Sequence, residues 1–345
     1  MAKVLIIRLS AIGDVAMTIP VIYSVARANP QDSFTVLTQS FLIPIFIHRP
    51  ENVQIIGLNT HSTEKTLWGV LRFAFALTGY KFDKILDLHN VIRSRVIGFT
   101  FRLQRKPVYR VDKMREERKY LTGSPPKTIR PLRPVSARYA DVFRAAGFHF
   151  TDTFVSLYDE QHPVDDTLIA SMAGEKKDKW IGIAPFAKHR GKIYPTDEME
   201  EVVKTLSEQN DATIFLFGGK GYEEAILDQW EFQYPNTRNM VGKFRLDQEL
   251  ALISRLDAFL CMDSANMHFA SLVGTKVISI WGATHPYAGF YGYKQPYDLA
   301  IQADLPCRPC STYGNKPCHR GDWACLSQIT AEQIVRKIND YLREA

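Results

Sequence analysis

The chain has 345 residues, 46% of them hydrophobic and 23% charged, and a formal net charge of +6. This length accommodates two domains of ordinary size, and the composition is that of a globular protein, neither disordered nor membrane-like. The nearest thing to a spanning segment, residues 67–77, is broken by Arg72 and falls short of the ~18 apolar residues a bilayer requires.

Short apolar runs alternate with helical patterns from the first residues onward. Residues 3–9, 33–38, 53–58, 82–88 and 107–111 read as strands, with helical patterns at 15–28, 40–48, 65–79 and 92–103 between them. In the first helix Val15, Ile19, Ile22 and Ala26 share one face, and Pro20 is expected to kink it or mark its true start. The N-terminus lacks the small-residue cleavage site of a secretory signal, so a cytoplasmic location is expected.

After a helix at 137–146, residues 148–179 are less patterned and read as a linker. A second alternation follows: strands at 180–185, 212–217, 257–262 and 276–281, and helices at 197–209, 222–232, 247–255 and 266–273. Two βαβ arrays imply an α/β protein made of two doubly wound, Rossmann-like domains with a cleft between them. The expected limits are 1–170 for the first domain and 171–328 for the second, with a helix at 329–345 packing back on the first.

Open parallel sheets bind ligands at the carboxyl ends of their strands, so the loops after each strand are the informative ones. Ser10-Ala11-Ile12-Gly13-Asp14 follows the first strand. It lacks the G-x-G-x-x-G fingerprint, which leaves a nicotinamide-dependent oxidoreductase unsupported. Asp14 stands at the start of the first helix, where residue statistics alone favour an N-cap. Lys188 to Lys192 puts cations where they can neutralise a diphosphate. Phe217-Gly218-Gly219-Lys220-Gly221 permits close ligand approach, with Glu223 and Glu224 in the helix that follows. Asp263-Ser264-Ala265-Asn266-Met267-His268 joins a buried strand to a helix, where free amides and the positive helix end suit an anion.

Between residues 93 and 138 fourteen arginines and lysines are opposed only by Asp112, Glu116 and Glu117. Such a block implies an anionic partner: a nucleic acid, a membrane surface or an acidic substrate. Cys307, Cys310, Cys318 and Cys325 give C-x2-C-x7-C-x6-C. The first pair has zinc-knuckle spacing and the second lacks it, which leaves a structural zinc, labile disulfides or a plain compact loop, zinc not being the favoured reading. A basic, zinc-containing nucleic-acid-binding protein is the rival from another class, although Tyr109 and Tyr120 are the only tyrosines in the block to offer stacking.

Together these loops resemble glycosyltransferase family 9, the ADP-heptose:lipopolysaccharide heptosyltransferases, over nearly the whole chain. The resemblance rests on Ile6-Ile7-Arg8-Leu9-Ser10-Ala11-Ile12-Gly13-Asp14-Val15 with Pro20, and on Leu86-Asp87-Leu88-His89 with Arg93-Ser94-Arg95. It continues in Lys192-Ile193-Tyr194-Pro195, in the hexad 263–268, and in the cysteine-rich stretch before Ile329-Thr330. The resemblance implies a GT-B fold, with donor bound by the C-terminal domain and acceptor by the N-terminal one, and inverting chemistry without a metal or required cofactor. The general base falls on Asp14. Lys192 contacts the donor diphosphate, Glu223 (or its neighbour Glu224) the ribose, and Asp263 the transferred sugar, while Ser264, Ala265 and His268 complete the pyrophosphate site. Ala265 departs from the usual glycine, at a cost only if its backbone is left-handed. Arg93 and Arg95 are candidates for the acceptor, an anionic glycolipid (Kdo or heptose of the lipopolysaccharide inner core) at the cytoplasmic face of the inner membrane. ADP-heptose is the donor implied, another nucleotide sugar the alternative, and no nucleic-acid partner is favoured. The oligomeric state is not fixed.

Overall fold

The computed structural model describes residues 1–59, 66–125, 127–209 and 211–344. Two compact units make up the chain: Met1–Met114 with Arg133–Val155, and Arg115–Leu132 with Ser156–Ala345.

In chain order the first part runs β1 (Lys3–Ile7), α1 (Ile12–Ala16), α2 (Ile19–Ala28), β2 (Ser33–Gln39), β3 (Val53–Leu58), α3 (Leu67–Thr78), β4 (Lys84–Asp87), α4 (Ile92–Leu103), β5 (Val108–Arg110), α5 (Arg115–Leu121) and α6 (Val135–Ala145). The five strands form one parallel sheet in the order β3-β2-β1-β4-β5. Both faces are covered, which is why β1 reads as an unbroken apolar run. On one face Leu5 and Ile7 meet Val70, Ala74 and Leu77 of α3 and Ile97 and Phe101 of α4. Another cluster joins Phe34 of β2 to Phe143 of α6 and to Phe148.

The helix expected at 15–28 is two helices. Pro20 sits in the first turn of α2, where its missing N–H would have had no intrahelical partner in any case. Residues 40–48 form only a short 3-10 turn, Ser40–Ile45, which holds Pro44. The start of the helix expected from residue 65 lies outside the described residues.

The second part runs α7 (Asp166–Ala173), β6 (Lys179–Ala184), α8 (Thr196–Glu208), β7 (Ala212–Leu216), α9 (Tyr222–Gln233), β8 (Thr237–Asn239), α10 (Leu246–Ile253), β9 (Ala258–Met262), α11 (Ala265–Leu272), β10 (Val277–Trp281), β11 (Ala300–Gln302), α12 (Ala324–Ser327) and α13 (Ala331–Glu344). Its six parallel strands lie in the order β11-β10-β9-β6-β7-β8. The outer strands β8 and β11 have three residues each, too few to show a period.

Three features depart from the expected domain limits. The units change over between Val155 and Ser156 rather than near residue 170. The presumed linker contains α7, whose N-terminus is capped by the Asp165 carboxylate accepting from the Thr167 and Leu168 N–H groups and whose Ile169 and Met172 are buried. The tail helix α13, expected to return to the first domain, places Ile334, Val335 and Ile338 in the second unit's core beside Val202 and Leu260.

Part of the basic block also belongs to the second unit. The Arg118 guanidinium lies 4.8 Å over the Phe290 ring and donates to the Tyr313 hydroxyl at 2.7 Å. Lys127 Nζ donates to the carbonyls of Cys307 (2.9 Å) and Pro309 (2.6 Å). These two cations hold the fold together, and burial lowers the pKa of the Lys127 ammonium.

Candidate active site

In the first unit the chain leaves β1 at Ile7 and enters α1 at Ile12, so Asp14 sits in the first turn at the carboxyl edge of the sheet. Its Oδ2 lies 2.6 Å from Arg8 Nη2 and accepts from the Ala11 N–H at 3.3 Å. Arg8 is 7% exposed. Its Nη1 donates to the Leu88 carbonyl at 2.8 Å, which ties the Asp14 loop to the end of β4. Arg8 was quoted in the sequence motif without a role. A lone cation closing an apolar strand was the signal that a carboxylate would have to meet it.

The segment after β4 turns through Asn90, which has a left-handed backbone at φ +51°. The fully buried Asp87 carboxylate sets that turn by accepting from the N–H groups of His89 (3.1 Å) and Asn90 (2.7 Å). His89 is 9% exposed, and its Nε2 lies 3.5 Å from Ser10 Oγ. Burial, then the positive charges of Arg8, Lys113 and Arg93 against the opposing pull of Asp14, lower its pKa from 6.5 to about 3. The imidazole beside Asp14 is therefore neutral at physiological pH. The candidate Arg93 thus lies within electrostatic reach of this group, whereas Arg95 is exposed and donates from Nε to Asn90 Oδ1 at 2.9 Å.

This depression has a consequence for stability. A histidine whose folded pKa lies below its unfolded one favours the folded state above the unfolded pKa, and that contribution is lost as pH falls. Between pH 6.5 and about 3 the unfolded chain binds the extra proton, and stability should fall on acidification by at most about 1.4 kcal/mol per pH unit from this group. In denaturant titrations over that window, His89→Gln should have a shallower acid slope than the parent. Equal slopes would mean that His89 takes up its proton while folded.

In the second unit the loop after β6 carries a short 3-10 turn, Arg190–Lys192. Lys192 Nζ lies 2.7 Å from Asp263 Oδ2, with the two side chains only 16% and 6% exposed. Two residues given separate roles in the sequence are therefore ion-paired. The loop is fixed by backbone contacts: the Gly191 carbonyl accepts from the Ala283 N–H at 2.8 Å, and the Gly191 N–H donates to the Gly314 carbonyl at 3.1 Å. A Cβ at Gly191 would stand 2.8 Å from that Gly314 oxygen, so only glycine lets the segments approach this closely.

Asp263 directly follows β9 and Ser264 caps α11 in an extended conformation. The Ser264 hydroxyl is buried and, among the described residues, has no hydrogen-bond partner. Ala265 is the first residue of α11 and is not among the residues with positive φ, so alanine in place of the usual glycine carries no strain. Ala265→Gly is expected to leave nucleotide affinity unchanged and to cost up to about 1 kcal/mol of stability, read by calorimetric titration and chemical unfolding. His268 lies within the same helix and is 6% exposed.

The glycine loop after β7 closes on its own carboxylates. Glu223 Oε2 accepts from the Gly219 N–H at 2.6 Å, and Glu224 Oε2 accepts from the Gly221 N–H at 3.1 Å. Gly221 has φ +87°. Both acids thus stand at this loop, and Glu224 does the capping.

Among the described residues no group of three or more His, Cys, Asp or Glu side chains is placed to hold a metal ion. The cysteines are free thiols. Burial raises the Cys310 and Cys325 pKa values, the latter to about 11.

Comparison with known proteins gives the family. The profile of glycosyltransferase family 9 (heptosyltransferase) matches residues 70–318. A lipopolysaccharide core heptosyltransferase of Haemophilus influenzae, OpsX, is 25% identical over 284 residues, 81% of this chain and 79% of that protein. The crystal structure of a family 9 glycosyltransferase from Veillonella parvula superposes with a TM-score of 0.75 at 18% identity, covering 100% of this chain and 98% of that one. The E. coli heptosyltransferase WaaC, solved with ADP-2-deoxy-2-fluoro heptose, gives 0.69 at 18% identity, covering 98% and 99%. The two Rossmann-like parallel sheets of this chain are those of a GT-B fold, and the chain belongs to glycosyltransferase family 9, the heptosyltransferases.

Proposed function

We propose that this enzyme transfers a heptose from ADP-heptose to the inner core of lipopolysaccharide, onto Kdo or a heptose already in place, with inversion at the anomeric carbon. The observation that carries the reading is the Lys192–Asp263 pair at the N-terminus of α11 beside the unsatisfied Ser264 hydroxyl. A cation, a free hydroxyl donor and unpaired helix amides at one strand end suit a diphosphate. The name of the H. influenzae relative supports the lipopolysaccharide core as acceptor, and the ligand in E. coli WaaC supports an ADP-linked heptose as donor.

In this mechanism the acceptor hydroxyl gives its proton to an Asp14 carboxylate oxygen as its own oxygen bonds to the anomeric carbon. The bond from that carbon to the phosphate oxygen breaks through an oxocarbenium-like state, and its electron pair leaves on ADP. Lys192 and the α11 amides take up the charge growing on the departing diphosphate, the neutralisation a metal would otherwise supply. Asp263 is freed by that exchange to accept from a sugar hydroxyl, and Glu223 or Glu224 to accept from the ribose. Ser264, Ala265 and His268 line the phosphate site. The first unit is the acceptor domain in this reading and the second the donor domain, with Arg93 and Arg95 facing an anionic glycolipid on the cytoplasmic side of the inner membrane.

No helix among the described residues is long and apolar enough to cross a membrane. A thermal-shift panel of ADP-heptose, ADP-glucose, UDP-glucose and GDP-mannose tests the donor. A shift with ADP-heptose alone is the expected result, and a larger shift with any other nucleotide sugar would replace the donor.

A further inference from the structure

Helices α3 and α4 lie side by side on one face of the first sheet. Their inward positions are used by the core, and their outward positions alternate in an unusual way. On α3, Trp68, Arg72 and Phe75 follow one another at spacings of three and four residues; on α4, Arg95, Phe99 and Arg102 do the same. All six are exposed, Trp68 by 81% and Phe99 by 56%. Neither helix contains a single Asp or Glu.

A helix face turned to water ordinarily mixes charges of both signs and carries few large apolar groups. This face does neither, and such patches mark a surface that meets a partner. A second copy of the chain docking the same face would set arginines against arginines. A nucleic-acid duplex would place phosphates against the indole and phenyl rings that separate those arginines, and a single strand, whose bases could stack on the rings, is distinguished by the oligonucleotide arm of the test. A bilayer with anionic headgroups satisfies both components: the rings enter the interfacial layer, and the guanidinium groups stay level with the lipid phosphates.

We propose that the outward face of α3 and α4 docks on an anionic phospholipid bilayer. This inference stands apart from the identity of donor and acceptor, because docking is read with neither present. It places the membrane on a specified side of the first unit, the side covered by α3 and α4.

The test uses the full chain and sedimented vesicles, one set of phosphatidylglycerol with phosphatidylethanolamine and one of phosphatidylcholine alone. Binding to the anionic vesicles only, weakened by salt, is expected. R72E/R102E and W68S/F99S should each lower the partition coefficient by at least about tenfold, with circular dichroism unchanged because all four side chains are exposed. Trp68→Phe, which leaves the fold undisturbed, should remove the blue shift of tryptophan emission seen with anionic vesicles, since Trp180, Trp230 and Trp281 are buried and the half-buried Trp323 belongs to the second unit, its ring under the Arg190 guanidinium. Equal binding to both vesicle types, or undiminished binding by the variants, would overturn the proposal. So would a dimer in sedimentation equilibrium that the same substitutions dissociate, or an oligonucleotide complex formed by a chain that ignores vesicles.

Discussion

Replacing Asp14 with Asn is expected to lower kcat for heptose transfer by about 10²- to 10⁴-fold, the usual worth of a positioned general base, while ADP-heptose affinity stays close to that of the parent. The two effects separate because Asp14 belongs to the first unit and every candidate donor ligand to the second. Asn keeps the size of the side chain and can still accept from the Ala11 N–H, but it cannot form the ion pair with Arg8. A modest loss of stability should therefore accompany the loss of rate, and unfolding titrations measure it independently. The informative measurement is kcat at saturating donor, beside calorimetric titration of ADP. Turnover within a few-fold of the parent would remove Asp14 as base. Lost ADP binding would assign it a structural role instead.

The second large effect is expected from Lys192→Ala. It leaves the Asp263 carboxylate, 6% exposed, without its cation. Breaking one side of a buried pair costs about 3–5 kcal/mol; Lys192 is 16% exposed, so the lower end of that range applies. The same substitution should weaken ADP binding and cut kcat by about 10²-fold or more, since a charge-assisted contact to the leaving group is lost. Asp263→Asn separates the two contributions: with Lys192 retained, diphosphate binding should survive better than in Lys192→Ala. A double-mutant cycle on the pair, read by unfolding and by ADP affinity, gives the coupling in each state. Additive effects on stability would mean that the ion pair seen without ligand contributes nothing to the fold.

Much of the architecture was legible because an all-parallel sheet covered on both faces leaves a simple trace: an apolar run, a polar loop, then a helical period. β1, β9 and β10 and the loops behind β1, β6, β7 and β9 could be placed on that basis alone. The sequence was silent where the structure depends on distant partners. That Arg8 meets Asp14 and holds Leu88, or that Lys192 meets Asp263, follows from strand order, which no local period encodes. The basic block misled in part for the same reason. Counted along the chain it is one feature, yet Arg118 and Lys127 are engaged with Phe290, Tyr313 and the Cys307 and Pro309 carbonyls, while Arg102 and Arg105 remain in solvent. Conversely, Ala265 looked like a defect against a glycine pattern, and its place at the head of α11 makes it an ordinary helical residue.

The helix Ala331–Glu344 contributes Ile334, Val335 and Ile338 to the interior that also holds β6, β7 and β9. During translation the second unit therefore lacks part of its interior until this helix has left the ribosome. The other half, complete by Val155, can close much earlier. A nascent chain halted before residue 331 would expose the Val202 and Leu260 side chains that the helix covers, a species that chaperones would retain and proteases would clear.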